Sequence, residues 1–466
     1  MNSATLLDGS SLHYARDPIG RGSEKTVYAA EDGHSIVALF HDAREASDPE
    51  RLTRLQSVVG KFNPTNDPQN GDHWRQHFCW PTAVVVKPQL GIVAPRYPSH
   101  YYFPDGAGGF SAKEKKGKWF SSPRVRQLLP AIERGDLRGF LQVCRQMARA
   151  VGRLHNAGLA HSDLSANNVL VDPGRGTSIV IDIDALVVPG VHPPKVLGTP
   201  GYMAPEVVAS DGAVVPSIST DKHALAVLLY EYLLRRHPLR GPKTHASSVE
   251  EDERLAMGSR ALFVEHPADD SNRPLGLTVP VAALGREIAL LFERAFVDAL
   301  HDPERRPSAS EWERALTRSL DLLLPCDHDA CEEKWFIWTG AADVRCPFCG
   351  TAYPRSIPIA ELYSQKRAGQ FAPDGHEIAF WDGWRLQTWH ASGNVAPGSA
   401  NGATPQGRVA YHRGRWLLFN EGREVWRDLG TGRVIGNGGA VELVDQRKLR
   451  LASGSAHGRL LVVRVP

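Results

Sequence analysis

One run of residues narrows the possibilities for this chain more than any other. His161-Ser162-Asp163-Leu164-Ser165-Ala166-Asn167-Asn168 puts an aspartate and, five positions later, an asparagine in one polar loop, and Val169-Leu170 then opens an apolar strand. An aspartate in a tight loop can accept a hydroxyl proton, and an asparagine carbonyl can ligate a divalent cation. Ile179-Val180-Ile181 is a second apolar strand, and it ends in the carboxylate of Asp182. Any one of these acids could belong to a solvated turn. Their order along the chain points instead to a hydroxyl and a cation handled together.

Upstream, Ile19-Gly20-Arg21-Gly22-Ser23-Glu24-Lys25-Thr26-Val27-Tyr28 has two glycines one residue apart, which let backbone approach a phosphate without side-chain obstruction. Alone, such a pair is an ordinary hairpin turn. Downstream come Gly198-Thr199-Pro200-Gly201-Tyr202-Met203-Ala204-Pro205-Glu206, then Asp221 opening an apolar helix, then Arg306 in Arg305-Arg306-Pro307. In this order the segments resemble the protein-kinase fold over roughly residues 15–323. The resemblance implies that Asp163 is the catalytic base, that Asn168 and Asp182 hold magnesium, and that ATP is the phosphate donor. It implies that Ile19, Gly20, Gly22, Val27 and Ala38 cover the nucleotide, with Val93, Ala94 and Arg96 in the adenine hinge. Asp221 would brace the catalytic loop, and Arg306 would pair with Glu206.

The chain departs from that pattern in informative places. The strand expected to carry V-A-I-K reads Ile36-Val37-Ala38-Leu39-Phe40, with Leu39 at the lysine position, and leucine can donate nothing. Lys25 stands at the third glycine position of the loop, which resembles the with-no-lysine kinases, whose lysine reaches the phosphates from the neighbouring strand. A pseudokinase acting as a nucleotide-binding scaffold is the alternative. The partner of Lys25 in the small lobe is either Glu50, in the first turn of a helix near 49–59, or Gln56 in its middle. Ser162 replaces the arginine of H-R-D, which argues against switching by activation-segment phosphorylation. Ser165 replaces a customary lysine, and Asp184 replaces the glycine of D-F-G. Because Asp163, Asn168 and Asp182 are all retained, an active enzyme is the preferred reading. The A-P-E segment favours a protein acceptor over a small-molecule one.

With Lys+Arg 54 against Asp+Glu 52, the chain of 466 residues has no basic field for nucleic acid. No apolar run is long enough to span a membrane, and Met1 to Tyr14 lacks the features of a secretory signal, so a cytoplasmic protein is expected. Four of the six cysteines cluster as Cys326, Cys331, Cys346 and Cys349, with Trp335-Phe336-Ile337-Trp338 between the two pairs. Paired thiolates on tight turns suit tetrahedral structural zinc, although buried free thiols or a substitution by His328 remain open. Cys79 and Cys144 lie in apolar contexts and read as core. Lys113 to Lys118 reads as a solvated loop or a docking patch.

Beyond Ile359 the pattern changes to alternating apolar runs at Glu377–Trp381, Trp384–His390, Arg415–Asn420 and Leu460–Val465, with a Gly/Ser/Ala-rich loop at 391–407. The five tryptophans there suit a sandwich core better than a ligand cage. The expected architecture is therefore α+β: a kinase small lobe (1–97), a large lobe (98–325), a zinc ribbon (326–355) and an all-β, sandwich-like domain (360–466). Trp74 to Pro81, Gly91 to Tyr97 and the C-terminal cysteines together resemble the bacterial kinases of tellurite-resistance-type ternary systems. That resemblance implies a serine/threonine protein kinase whose partners are a von Willebrand A-domain protein and a PP2C-type phosphatase.

Overall fold

The computed structural model describes residues 1–465 apart from Ser23, 42–48, 189–196, 211–212, 245–246, 368 and 400–401. Ser23 of the glycine loop and residues 189–196 of the segment between Asp182 and Glu206 therefore lie outside the described residues. Two compact units are formed, the first by residues 1–135, 139–277 and 290–313, the second by 136–138, 278–289 and 314–466. No described helix is long and apolar enough to cross a membrane.

The first unit opens with β1 (Asn2–Leu6) and β2 (Ser11–Tyr14), followed by β3 (Gly20–Arg21), β4 (Lys25–Ala29), β5 (Ser35–Phe40), the helix α1 (Pro49–Val59), β6 (Ala83–Lys87) and β7 (Gly91–Pro95). The strand order is β2-β1-β6-β7-β5-β4-β3. The far end of β2 returns to the end of β4 through a Tyr14–Ala30 bridge and the bond from Ala15 N to Ala29 O (2.9 Å), so β2, β1, β6, β7, β5 and β4 close into a ring. Its interior holds Ala4, Tyr14, Ala30, Val37, Leu39, Val85 and Val93. The outer face of β5 presents Ala38 and Phe40 to Leu55 of α1, together with Val84, Leu90 and Ile92.

This alternation corrects one expectation. Side chains on a strand point to opposite faces in turn, so Leu39 lies inside the barrel while Ala38 and Phe40 share the face toward α1. The residue standing in place of the phosphate-binding lysine is therefore Phe40, and Leu39 is ordinary barrel core. Lys25 is the cross-strand partner of Phe40. Directly opposed residues have Cβ atoms about 5 Å apart, so the Lys25 side chain starts beside that of Phe40.

Helical periods expected at 137–155 and 222–234 appear as α2 (Leu137–Asn156) and α3 (Ile218–Leu234). Ser217 caps α3 through Ser219 N, with Thr220 completing a reciprocal box, and Arg235 ends the helix in the left-handed conformation. Nearly every residue of α3 is buried, as befits a helix apolar on all sides. The strands β8 (Val169–Asp172) and β9 (Thr177–Val180) form a hairpin with Val169 opposite Val180, so the loop of Asp163 and Asn168 enters and Asp182 leaves side by side at its open end, where Ile181 N donates to Asn168 O (3.0 Å).

The second unit is rich in strands. β10 (Leu323–Pro325) pairs with β11 (Trp335–Ile337) beside the cysteines. β12 (Ile359–Arg367), β13 (Gln370–Ala379), β17 (Trp426–Asp428), β18 (Val434–Ile435), β20 (Lys448–Arg450) and β21 (Leu460–Arg464) make one sheet. β14 (Arg385–Gln387), β15 (Pro405–His412), β16 (Arg415–Asn420) and β19 (Ala440–Glu442) make another. Both sheets contribute to one core containing Trp384, Trp416 and Trp426. The expected strand at Trp384–His390 is cut short, because Thr388–Ala391 turns into a helix whose start is fixed by the bond from Gln387 N to His390 Nδ1 (2.8 Å).

That bond also sets a tautomer. With Nδ1 accepting, the His390 proton sits on Nε2, which donates to buried Asp321 at 3.1 Å, while His376 Nε2 lies 2.7 Å from the same carboxylate. The trio is a hydrogen-bonded clamp rather than a metal cradle. Burial alone would raise the Asp321 pKa, but the two imidazoles reverse this and hold it well below the usual carboxylate range. A depressed carboxylate contributes stability above its unfolded pKa and loses it as the pH falls. Asp321→Asn should therefore cost about 3 kcal/mol near neutrality and remove part of the stability loss seen below about pH 4, as read by urea denaturation followed by tryptophan fluorescence. In the first unit, Leu39→Lys places an unpaired charge inside the barrel and should cost about 3 kcal/mol or more in the same assay.

Candidate functional site

Asp163 is held from three sides. Asn168 Nδ2 donates to its backbone oxygen (2.8 Å) and to its Oδ2 (2.9 Å), and the Thr199 hydroxyl donates to its Oδ1 (2.6 Å). Asn168 thereby spends its amide nitrogen on Asp163, and its side-chain oxygen is the atom left to offer a cation. The loop that carries Asp163 is itself fixed by Asp221, whose carboxylate accepts from His161 N (2.6 Å) and Ser162 N (3.1 Å). Asp221 is buried in the first turn of α3, where a negative charge also complements the helix dipole. Arg306 meets Glu206 with two parallel bonds of 2.7 Å, so the segment after Thr199 is tied to the large lobe by a bidentate pair.

Two residues beside Asp163 take left-handed backbone, Ser162 (φ 69°) and Asp182 (φ 62°). This conformation is uncommon outside glycine and collects at functional sites. At Asp182 it sits between the end of β9 and the single helical turn Ile183–Ala185, and it brings Asp182 and Asp184 to the same ammonium group.

That group is Lys25. Its Nζ is 2.8 Å from Asp182 Oδ1, and 2.7 and 2.8 Å from the two oxygens of Asp184. Burial by itself would lower the Lys25 pKa, but the charges of Asp184 and Asp182 outweigh it and raise the pKa above its ordinary value. Burial likewise would raise Asp182, and Lys25 holds it below the usual carboxylate range. Two carboxylates against one ammonium leave a net negative charge, which suits a site that receives a divalent cation. The Asp182 side chain is 40% exposed, against 6% for Asp184, so Asp182 is the one an ion from solvent can reach.

The expected helix partners are elsewhere. Glu50 and Gln56 are on the exposed face of α1, whose buried positions are Arg51, Arg54, Leu55 and Val58. Arg51 stacks its guanidinium 3.7 Å from the centre of the Phe40 ring. Among the described residues, Lys25 is ion-paired with Asp182 and Asp184. In the sequence Asp184 stands out only as the residue in place of the D-F-G glycine, and Thr199 carries no signal of its bond to Asp163. A displaced lysine needs a counter-charge, and an extra acid two residues past Asp182 was the signal available.

For the nucleotide, Gly20 is opposite Val27, and Val27 is opposite Ala38. Gly22 accompanies them in the turn, where its N–H bonds Lys25 O (2.9 Å), and Ile19 is exposed at the lip. Ala94 lies in an apolar cluster with Leu170, Ile179 and Ile181. Val93 and Arg96 are not brought to this surface. The Val93 side chain is inside the barrel and its carbonyl accepts from Thr82 N (2.8 Å), while Arg96 is exposed and gives its N–H to His34 O (2.8 Å).

In the second unit the sulfurs of Cys326, Cys331, Cys346 and Cys349 all lie within 4.8 Å of one another. Cys326 and Cys349 are 3.5 Å apart, Cys331 and Cys346 3.9 Å. Four sulfurs at about 2.3 Å from one zinc ion would be about 3.8 Å apart, so the set fits. Backbone N–H groups of Phe348 and Cys349 point at Cys346, and that of His328 at Cys326, as turns that stabilise thiolates do. The His328 ring is not part of this group.

Comparison with known proteins follows the same outline. The model of the protein kinase domain matches residues 131–312. Over 58 residues the chain is 33% identical to the KEOPS complex subunit Bud32 of Pyrococcus abyssi (strain GE5 / Orsay), covering 12% of this chain and 25% of that protein. The chain thus spans about a quarter of the length of this curated relative. The segment matched by the protein kinase domain, residues 131–312, contains Asp163, Asn168, Asp182, Glu206, Asp221 and Arg306 in the arrangement just described.

Proposed function

We propose that this protein is an ATP- and magnesium-dependent serine/threonine protein kinase whose phosphate-binding lysine is Lys25. The observation that carries this reading is the position of the Lys25 ammonium, 2.8 Å from Asp182 and beside the loop of Asp163 and Asn168. A scaffold that had given up transfer would have no need to bury this lysine against two acids.

In this reading the acceptor hydroxyl enters the recess lined by Asp163, Leu164, Thr199, Tyr202 and Met203. Asp163 accepts its proton, with Asn168 and Thr199 fixing the carboxylate so that no reorganisation is needed during reaction. Asn168 and Asp182 hold magnesium, which supplies charge neutralisation at the phosphates when bound. Lys25 and the backbone of Gly20 and Gly22 steady the phosphates. Val27 and Ala38 cover the base, and Ala94, Leu170 and Ile181 lie beneath it. Because the Arg96 N–H is committed to His34, the hinge donor falls to Tyr97.

The four cysteines form a structural zinc ribbon with no open coordination position. The protein acts in the cytoplasm, with a von Willebrand A-domain protein as substrate or partner and a PP2C-type phosphatase as its opponent. Transfer from labelled ATP to a generic acceptor or a von Willebrand A-domain protein should depend on magnesium. Lys25→Met and Asp163→Ala should each lower it by about a hundredfold or more. Wild-type binding of ATP without transfer to any acceptor would leave the scaffold reading in place. Elemental analysis should find one zinc per chain, and Cys346→Ser should release it and lower the thermal midpoint of the second unit.

A further inference from the structure

In a site built around a phosphate-binding lysine, the lysine needs a permanent counter-ion. Without one a buried ammonium is costly, and its long side chain has no fixed position. The counter-ion cannot be the residue that holds the metal, because that carboxylate must turn toward the metal when nucleotide arrives. Asp182 is in that situation, and it offers Lys25 one oxygen and remains 40% exposed. Asp184 differs on each point. It gives Lys25 both oxygens, at 2.7 and 2.8 Å, and its side chain is 6% exposed.

The helix α1 is poorly suited to the task. Its buried face carries Arg51 and Arg54, its acid Glu50 and its amide Gln56 are exposed, and it meets the lysine's surroundings through Arg51, which stacks on Phe40 and pairs with Glu24 at 3.4 Å, and through Val58, which shares a core cluster with Ile183. A lysine moved from β5 to β4 thus meets an acid moved from the small-lobe helix to the turn after Asp182.

We propose that Asp184 is the positioning residue for Lys25, keeping the ammonium in place while Asp182 is released to the metal, so that the lysine needs no acid or amide from α1. This rests on the reading of Lys25 as the phosphate-binding lysine. Asp184 touches no reacting atom and acts only through Lys25.

A double-mutant cycle on the full chain tests it, with magnesium–ADP affinity measured by calorimetry beside kcat/KM for transfer. Asp184→Asn should weaken magnesium–ADP binding about tenfold, since Lys25 then collapses onto Asp182. In a Lys25→Met background the same substitution should change affinity less than twofold. Asp184→Glu, which keeps the charge, should recover most of the loss, and Glu50→Ala and Gln56→Ala should stay within twofold of wild type. Equal losses in both backgrounds, wild-type binding by Asp184→Asn, or a tenfold loss in either helix variant would overturn the proposal. If Asp184→Asn melts below the assay temperature, Asp184→Ser carries the same cycle. Wild type that binds magnesium–ADP but transfers no phosphate would sink the kinase reading while the cycle still reports on Asp184.

Discussion

Among the described residues, the ammonium of Lys25 joins the β barrel at the start of the chain to the acids that follow β9. It stands at a low-dielectric boundary where neither partner could be charged alone without penalty. Once Lys25 is on β4, its neighbours are constrained: the opposing residue on β5 must be uncharged, and Phe40 fills the space with Arg51 stacked on its ring. The turn after Asp182 must carry a second carboxylate, and Asp184 supplies it. The departures from the kinase pattern at these positions form one connected rearrangement.

Behind this charge cluster two further sets of charges fix the backbone around Asp163. Asp221 converts the N-terminal end of α3 into a clamp on two backbone amides of the loop that carries Asp163. Arg306 and Glu206 pin the segment that carries Thr199. Each places a buried charge opposite a fixed set of hydrogen-bond partners, which gives a single geometry more than it gives raw stability. Asp163 inherits its orientation from both, through the loop on one side and Thr199 on the other.

Much of this was legible in the sequence because the motifs are short, local and ordered. Asp163, Asn168, Asp182, Asp221, Glu206 and Arg306 could be named because the motifs that carry them resemble the protein-kinase pattern. What spacing could not settle was register. Whether Leu39 or Phe40 faces the cleft depends on the phase of the β5 pleat, and a shift by one residue exchanges the two faces. The partner of Lys25 was hidden for a related reason: Glu50 and Gln56 are near in sequence to where a partner belongs, but the rotation of α1 turns both to solvent. Val93 and Arg96 fell in the expected stretch, yet the barrel claims one side chain and His34 the other's amide. In the tail, Arg415–Asn420 was readable as a strand by alternation, whereas Thr388–Ala391 alternates equally well and becomes helical through one imidazole. The cysteines were readable because four thiols at short spacing have few other uses.

The hairpin of β1 and β2 has a consequence for how nucleotide would come and go. In an open sheet the glycine-rich strands are the last ones, and such an edge can fray. Here β4 is stitched to β2 as well as to β5, so the ring has no end from which to peel. Among the described residues, β3 pairs with β4 alone and lies outside the ring. In the proposed reading, a phosphate beside β3 would rest on a base that cannot open from an edge, and its release would not wait on the loosening of a lobe.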